Sequence, residues 1–596
     1  MKKLALFLCL AAASMSLVAC SPRNKPDKGG DDSTTPPADD NTNTNRPVTP
    51  PIGNTGTGDE QDTGDGQGAV ITFATGDGAF LNGNKSVEIK ADSSGAVEIH
   101  SDPVLDGYAF SGWYNGTVKY NPESKYTETC TFTAKYESGS GKNVYTALFD
   151  ENSTVMVRIN MSDAEWKKLN NDYIVFENRH SKSPIYRMAD YVMIYVNGLG
   201  YYYEEVGVRM KGNTSRHEFY NNDGFFDRVH LKLSFKQTFD DTADGYTQDE
   251  LKVWTDSDAK KARKNRLFGD MEKIDIKYNS TKDETYVREM YAMKLFRDNG
   301  VQAPNITLSS LTALQCDDDY ANLGLYRIHE CIDEKFIEHH FGDTTVGDLW
   351  KCTYTVTGPA DMTNYGLDYR IGVEDEMAGE FYSYDKKTNK KKDKNTGLRD
   401  FSSMINFIRA VDSDNPNFES VLDTDYFAKF EAINYILGNP DCIRNNYNNY
   451  YLYFRPSDGK AIIIPFDYDR CLGITADWNP TGSANMNVAP FTRTIAANGS
   501  GQNNPLYKKL IDKGAPTGAG SVLMAYRGYL LQMKDSQMLT TSTFNAYEGK
   551  FKQRYSAYVD SDEHRFDNNF AGNVSYSQYI TTKLQTLANN IDNYNP

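Results

Sequence analysis

Apolar and polar positions change period several times along the chain. Residues 70–73 and 130–136 alternate in twos, as do 155–159, 191–196 and 230–236, and each reads as a strand. Asn197-Gly198 sits at the end of one run, a strong signal for a two-residue hairpin. Ser162 and Glu165 have capping-box spacing and start a helix. Val287, Met290, Tyr291 and Leu295 mark one face of a second helix over 285–299, stopped by Gly300 and Pro304. Residues 324–337 pass from strand to helix. Phe427, Phe430, Ile433 and Leu437 line a further helix, with Gly438 at its C′ position. Two strands follow, 450–453 and 460–465, joined through Pro456 and Gly459. Helical spacing returns over 506–538 and 543–560, behind a stretch rich in Asn and Gly. The pattern predicts an α+β fold.

The N-terminal residues follow another rule. Met1-Lys2-Lys3 precedes an apolar run of about fifteen residues, short for a membrane span and suited to a signal segment. It closes on Leu17-Val18-Ala19-Cys20, which resembles a bacterial lipobox, with Cys20 as the lipid attachment site. Residues 21–68 hold Pro, Gly, Asp, Thr and Asn with few apolar side chains, too little to offset chain entropy, and read as a disordered tether. The expected location is extracytoplasmic, lipid-anchored to a bacterial membrane, on its periplasmic face or at the cell surface. A formal charge of −17 argues against a nucleic-acid partner. Beyond Cys9 and Cys20, the cysteines (130, 316, 331, 352, 442 and 471) match no zinc spacing and fix no pairing. The 41 tyrosines suit half-buried strands.

Over 69–138 the short strands enclose Gly107-Tyr108-Ala109-Phe110-Ser111-Gly112-Trp113-Tyr114 and close on Phe132, Ala134 and Tyr136. This resembles the internalin-type B repeat (Listeria–Bacteroides repeat) of bacterial surface proteins. The resemblance implies a small β module with an aromatic core, Trp113 included, in a spacer or adhesive role.

Candidate chemistry lies in the larger region, 143–596. A strand runs into Arg209-Met-Lys211-Gly212-Asn213-Thr-Ser215-Arg216, where small residues expose backbone N–H groups among cations, a place for an anion. Asp441 is followed five residues later by Asn446, then by a hairpin, then by Asp467 and Asp469. That is the order of a phosphoryl-transfer loop, in which Asp441 orients an acceptor hydroxyl and takes its proton. Carboxylates two apart on an extended chain point the same way, so Asp467 and Asp469 are expected to share a divalent cation. The basic run from Lys386 to Lys394 reads as a solvated loop, or as a dock for an acidic substrate or surface polymer.

Together with Val287-Arg288-Glu289, Gly324-Leu325-Tyr326 and Ile464-Pro465-Phe466, these motifs resemble the CotH family, the spore-coat-protein-H kinases. The resemblance implies an atypical protein-kinase-like fold of two lobes over 143–596, with a core at 155–475 and a helical C-terminal part at 480–596. It implies binding of ATP and Mg²⁺ (or Mn²⁺) and phosphate transfer to Ser or Thr of a secreted or surface protein. Asp441 becomes the catalytic Asp, with Asn446 or Asn449 as the loop Asn and Asp467 and Asp469 as the metal site. Arg209, Lys211, Asn213, Ser215 and Arg216 line the nucleotide. Lys232 is the expected phosphate-contacting lysine paired with Glu289, with Lys211 and Lys236 open. Pro440 and Phe466 stand where the family frequently has Trp. The competing expectation is a non-catalytic surface protein that uses this fold to bind a protein or glycan; a calcium-stabilised adhesin is a third.

Overall fold

The structure is a computed structural model. It describes residues 68–593 apart from 179–181, 213–214, 220–226, 279–282, 316–318, 344, 374–381, 395, 475–481, 492–503, 512–519 and 562–572. The expected signal segment, Cys20, the tether, Asn213 and Cys316 lie outside the described residues, as does most of the Asn/Gly-rich stretch before residue 504.

The first strands are β1 (Val70–Ala74), β2 (Ser86–Lys90), β3 (Tyr108–Asn115), β4 (Val118–Lys119) and β5 (Cys130–Ser138). Phe73, Trp113 and Phe132 are buried between them with Tyr120 and Tyr136 alongside, and Phe73 meets Trp113 edge-on at 5.2 Å. Trp113 is thus a core residue. β3 also pairs with a strand of the larger region, through Tyr108 with Tyr202 and Ala109 with Tyr201.

Seven further strands close a ring. They are β6 (Val155–Asn160), β7 (Arg187–Val196), β8 (Leu199–Lys211), β9 (His230–Ser234), β10 (Lys273–Tyr278), β11 (Ile306–Gln315) and β12 (Asp319–Glu330). The order β8-β7-β6-β11-β12-β10-β9 returns to β8 by a β8–β9 pairing. Asn197 and Gly198 take positive φ at the β7–β8 hairpin, as that turn requires. The alternation along three strands sorts two chemistries. Leu231, Leu233, Ile274, Ile276 and Ile328 are buried in the ring's apolar core. Their neighbours His230, Lys232, Asp275, Lys277, Arg327 and His329 take the opposite face, cross-strand from one another. The strand β10, Lys-Ile-Asp-Ile-Lys-Tyr, is not among the strands expected from the sequence.

The helix Arg288–Asp298 follows β10 and begins later than the spacing predicts. Asp283 accepts the backbone N–H groups of Thr285 and Arg288 and so sets the start. A second sheet, in the order β14-β13-β15-β16, contains β13 (Asp348–Cys352), β14 (Tyr384–Lys386), β15 (Tyr450–Phe454) and β16 (Ala461–Pro465). It packs beside the buried helix Thr424–Leu437, whose cap Gly438 lies at φ 61°. The C-terminal part contributes helices Gly520–Lys534, Thr541–Arg554, Ser556–Ser561 and Tyr576–Asn590, the last beyond those expected from spacing. Tyr555 of this part donates to Leu308 O (2.7 Å) and accepts from Val155 N (2.8 Å), tying it to ring strands β6 and β11.

Gly438 is required twice over, by its positive φ and by the close approach of Tyr579 Oη, with which a Cβ would collide. Gly438→Ala is expected to destabilise the protein by about 2 kcal/mol or more, from left-handed strain plus overpacking. Urea unfolding checks this, and an unchanged midpoint would show that the cap is not clamped.

Candidate active site

Three elements converge on one ammonium. Lys277 lies on the polar face of β10, Glu289 in the first turn of the helix Arg288–Asp298, and Asp467 just past β16. Lys277 Nζ donates to Asp467 Oδ1 at 2.5 Å and to Glu289 Oε1 at 3.3 Å. Glu289 is also met by Arg327 Nη1 at 3.2 Å and His329 Nε2 at 3.8 Å, both from β12. Burial alone would pull the Lys277 ammonium down, but Asp467 and Glu289 more than offset it and hold it above the ordinary lysine range.

The expected lysine is therefore displaced. Lys232 does not reach Glu289; its Nζ lies 3.1 Å from Asp275 Oδ1 and 3.6 Å from Cys331 Sγ. Lys236 pairs with Glu272. Lys211 Nζ lies 2.5 Å from Asp275 Oδ2 and 5.3 Å from the centre of the Phe466 ring, beside Asp467. The sheet register decides the matter: Lys232 stands opposite Asp275, two residues along β10 from Lys277, the lysine that meets Glu289.

The segment from Asn439 to Asn449 builds a collar around Asp441. Asp441 Oδ1 accepts from Asn446 Nδ2 (2.7 Å) and Asn448 Nδ2 (2.9 Å), and Oδ2 accepts from Asn449 Nδ2 (2.9 Å). Both expected asparagines thus meet Asp441, together with Asn448, which the motif did not single out. Asn439 joins the collar to the carboxylate pair, donating from Nδ2 to Asp467 O (3.1 Å) and accepting Asp441 N–H at Oδ1 (3.0 Å). Asn445, buried, donates to Asn439 O and to Ser483 Oγ. A second signal was available here, because four asparagines follow so closely upon an Asp.

Asp467 and Asp469 do not continue a strand. β16 ends at Pro465 and Asp467 lies at φ 59°, so the extended-chain argument for their common direction fails. Their charges are nevertheless linked. Against burial, Lys277 holds the Asp467 carboxyl well below its usual range, while burial and then Asp467 push Asp469 up to about 6. Burial likewise pushes Asp441 up to about 6, against the pull of the asparagine amides. His230 accepts Tyr278 N–H at Nδ1, and burial beside Lys277 and Lys211 keeps its ring neutral, its pKa well below the usual range.

Other expected residues stand apart. Arg216 Nη2 pairs with Glu177 at 2.8 Å, on the helix Asp163–Glu177. Arg209 Nη1 donates to Ser183 O at 3.3 Å, with its guanidinium over the Tyr186 ring. Ser215 folds back against Gly212. Cys442 and Cys471, which flank the site, are buried thiols with no disulfide between them, and Cys130, Cys331 and Cys352 are also free. The described residues include no group of three or more His, Cys, Asp or Glu side chains able to hold a metal. Two carboxylates and amide oxygens are hard donors, and Mg²⁺ commonly takes one or two carboxylates and completes its shell with water and phosphate. The donor set fits that habit.

A family model described as CotH kinase protein matches residues 208–583. No curated protein matches the chain. A solved structure, the Helicobacter pylori proinflammatory kinase CtkA, is similar at 12% identity over 50% of this chain and 90% of that chain, with a TM-score of 0.22. A likeness so slight says nothing of this chain's chemistry.

The raised carboxyls make a stability prediction. Folded Asp469 holds its proton to about pH 6, against an ordinary value of 3.8. Its contribution is therefore fully present below about pH 4 and lost as the pH rises through 6, leaving the ionised form a cost at neutrality. Asp469→Asn is expected to gain about 1–2 kcal/mol at pH 7.5 and nothing at pH 4. Urea unfolding at the two pH values checks it; a loss of stability at pH 7.5 would refute it.

Proposed function

The chain belongs to the CotH kinase protein family, and on that premise we propose that it is a Mg²⁺-dependent protein kinase. It transfers the γ-phosphoryl group of ATP to a Ser or Thr hydroxyl of a secreted or surface protein. It acts from a lipid anchor at Cys20, outside a bacterial cytoplasm, where Mn²⁺ can replace Mg²⁺. The observation that carries the reading is Lys277, held between Glu289 and Asp467 beside the asparagine-collared Asp441.

The roles follow from charge and position. Lys277 offers its ammonium to phosphate oxygens, and Glu289, fixed in turn by Arg327, keeps that ammonium in place. Lys211, beside Phe466, adds positive charge on the nucleotide side. Asp467 and Asp469, with an asparagine oxygen, would hold Mg²⁺, which supplies neutralising charge to the phosphates when bound. The collar orients Asp441 toward the acceptor hydroxyl. As the bond from the γ-phosphorus to ADP breaks and the bond to the acceptor oxygen forms, the hydroxyl proton passes to Asp441. A carboxylate with a pKa near 6 is ionised at neutral pH yet basic enough for that proton.

Incubation with γ-labelled ATP and Mg²⁺ or Mn²⁺ tests the reading. Label transfer to protein is expected from the wild type and reduced about 10²–10⁴-fold in Asp441→Asn. Lys277→Met should lose transfer, while Lys232→Met should keep a larger share of it. No transfer, with no difference between wild type and Asp441→Asn, would overturn the kinase reading and leave the non-catalytic surface protein. Incorporation of labelled fatty acid, lost in Cys20→Ala, tests the anchor; equal labelling of both would refute it.

A further inference from the structure

The C-terminal helix Tyr576–Asn590 buries one face, on which Tyr576, Tyr579, Ile580 and Leu587 recur at helical spacing. Lys583 occupies the same face and is fully buried. An amine in such a place is costly unless its N–H groups find acceptors. Lys583 Nζ donates to Ser483 O at 2.6 Å and sits 3.8 Å from the centre of the Tyr435 ring. Burial and then the Arg444 charge, against Glu431, draw it well below the ordinary lysine range. Among the described residues no carboxylate forms an ion pair with it, so it serves as a hydrogen-bond donor and not as half of a salt bridge.

Ser483 passes the contact on. It stands in the short turn Gly482–Ala484, and two bonds join it to Asn445: Ser483 N donates to Asn445 Oδ1 (3.1 Å) and Asn445 Nδ2 donates to Ser483 Oγ (2.8 Å). Asn445 Nδ2 also donates to Asn439 O (2.7 Å). Asn439 in turn accepts Asp441 N–H at Oδ1 (3.0 Å) and donates to Asp467 O (3.1 Å). Lys583, Ser483, Asn445 and Asn439 are all closed to solvent, so bulk water does not compete for these bonds. The chain has little slack, because each asparagine uses both the donor and the acceptor end of its amide. A Cβ on Gly438, the residue before Asn439, would lie 2.8 Å from Ser483 O. That carbonyl is held between the Gly438 backbone and the Lys583 amine, and loss of the amine would leave it buried without that donor.

We propose that Lys583 is a positioning residue for phosphoryl transfer: through Ser483, Asn445 and Asn439 it fixes where Asp441 and Asp467 stand relative to one another. That the positioned groups transfer phosphate rests on the kinase reading; the coupling of Lys583 to Asn439 does not. Without the amine, Ser483 is free to shift, and Asn445 and Asn439 shift with it, so the backbones of Asp441 and Asp467 lose their common strut. Lys277 is held from other elements, by Glu289 above all, and stays to meet the nucleotide. The effect therefore falls on turnover more than on affinity for ATP.

The test uses the full-length protein in two measurements. In the first, label transfer to protein at varied γ-labelled ATP gives kcat and KM. Lys583→Met, which keeps the length of the side chain and loses the donor, is expected to lower kcat about 10–10²-fold and to change KM for ATP less than about threefold. Ser483→Ala, a milder break in the same chain, should lower kcat about three- to tenfold. Tyr555→Phe, which cuts a buried tie of the same C-terminal part to β6 and β11, should lower the urea midpoint and leave kcat unchanged. The second measurement needs no nucleotide: urea midpoints of Lys583→Met, Asn439→Ala and the double variant. The shift of the double variant is expected to fall short of the sum of the single shifts, because either substitution cuts the same chain. An unchanged kcat in both Lys583→Met and Ser483→Ala, or an equal loss in Tyr555→Phe, would overturn the proposal, and so would additive midpoint shifts. No label transfer from the wild type, with shifts that remain non-additive, defeats the kinase reading alone. Label transfer with additive shifts defeats the chain through Lys583 alone.

Discussion

A buried ammonium cannot stand by itself. Removing Lys277 from water is costly, and the charge stays only because Glu289 and Asp467 meet it from two other parts of the chain. That requirement fixes the spacing of three elements at once: a ring strand, the helix that follows it and the turn after β16. It also explains the charge around them. Glu289 is itself buried and is shared with Arg327, while Asp275 lies between Lys211 and Lys232. These buried charges are shared, each meeting more than one partner, and removal of any one would leave its partners buried with part of their compensation lost. The ring supplies the rigid floor for this arrangement, because its strands turn hydrocarbon inward and charge toward the site.

Much of this was legible in the residues, and the exceptions have physical causes. The helix ending at Gly438, the hairpin strands 450–453 and 460–465, and the Asn197-Gly198 turn are written in local signals, and each stands where it was expected. The Asp441 and Asn446 spacing likewise brings those two side chains into contact. Which lysine meets Glu289 is another matter. Lys211, Lys232, Lys236 and Lys277 all lie in or next to alternating runs, and only sheet register separates them. Register depends on pairings between strands far apart in the chain, which no window of sequence contains. The strand β10, Lys-Ile-Asp-Ile-Lys-Tyr, was visible as an alternation, yet half its residues are charged. It reads as a strand only once buried polar partners for those residues are known. Asp467 shows the converse limit. Its backbone turns left-handed, so the strand geometry assumed for Asp467 and Asp469 does not hold, although the charge of one acts on the other.

The tyrosines, conspicuous as composition, have a structural use beyond filling strands. Tyr555 reaches the backbone of β6 and β11, Tyr579 donates to Ile436 O, Tyr450 to Ala360 O and Tyr435 to Val488 O. A ring long enough to cross a core, with a hydroxyl at its tip, satisfies backbone carbonyls that would otherwise be buried without a donor. These ties join segments far apart in the chain. They therefore hold the C-terminal helices against the strands and the loop that carry the site.

Ring closure has a further effect. A sheet normally offers its outermost strands as templates on which another chain can add, and a barrel removes them. In the larger sheet, among the described residues, β2 and β4 are left as edges. β4 has two residues, and β2, Ser-Val-Glu-Ile-Lys, sets charge between its apolar positions. Short, charged edges are poor seeds for intermolecular strand addition. A protein crowded beside its own copies would thus keep its larger sheet to itself, with the strands of the ring sealed against each other.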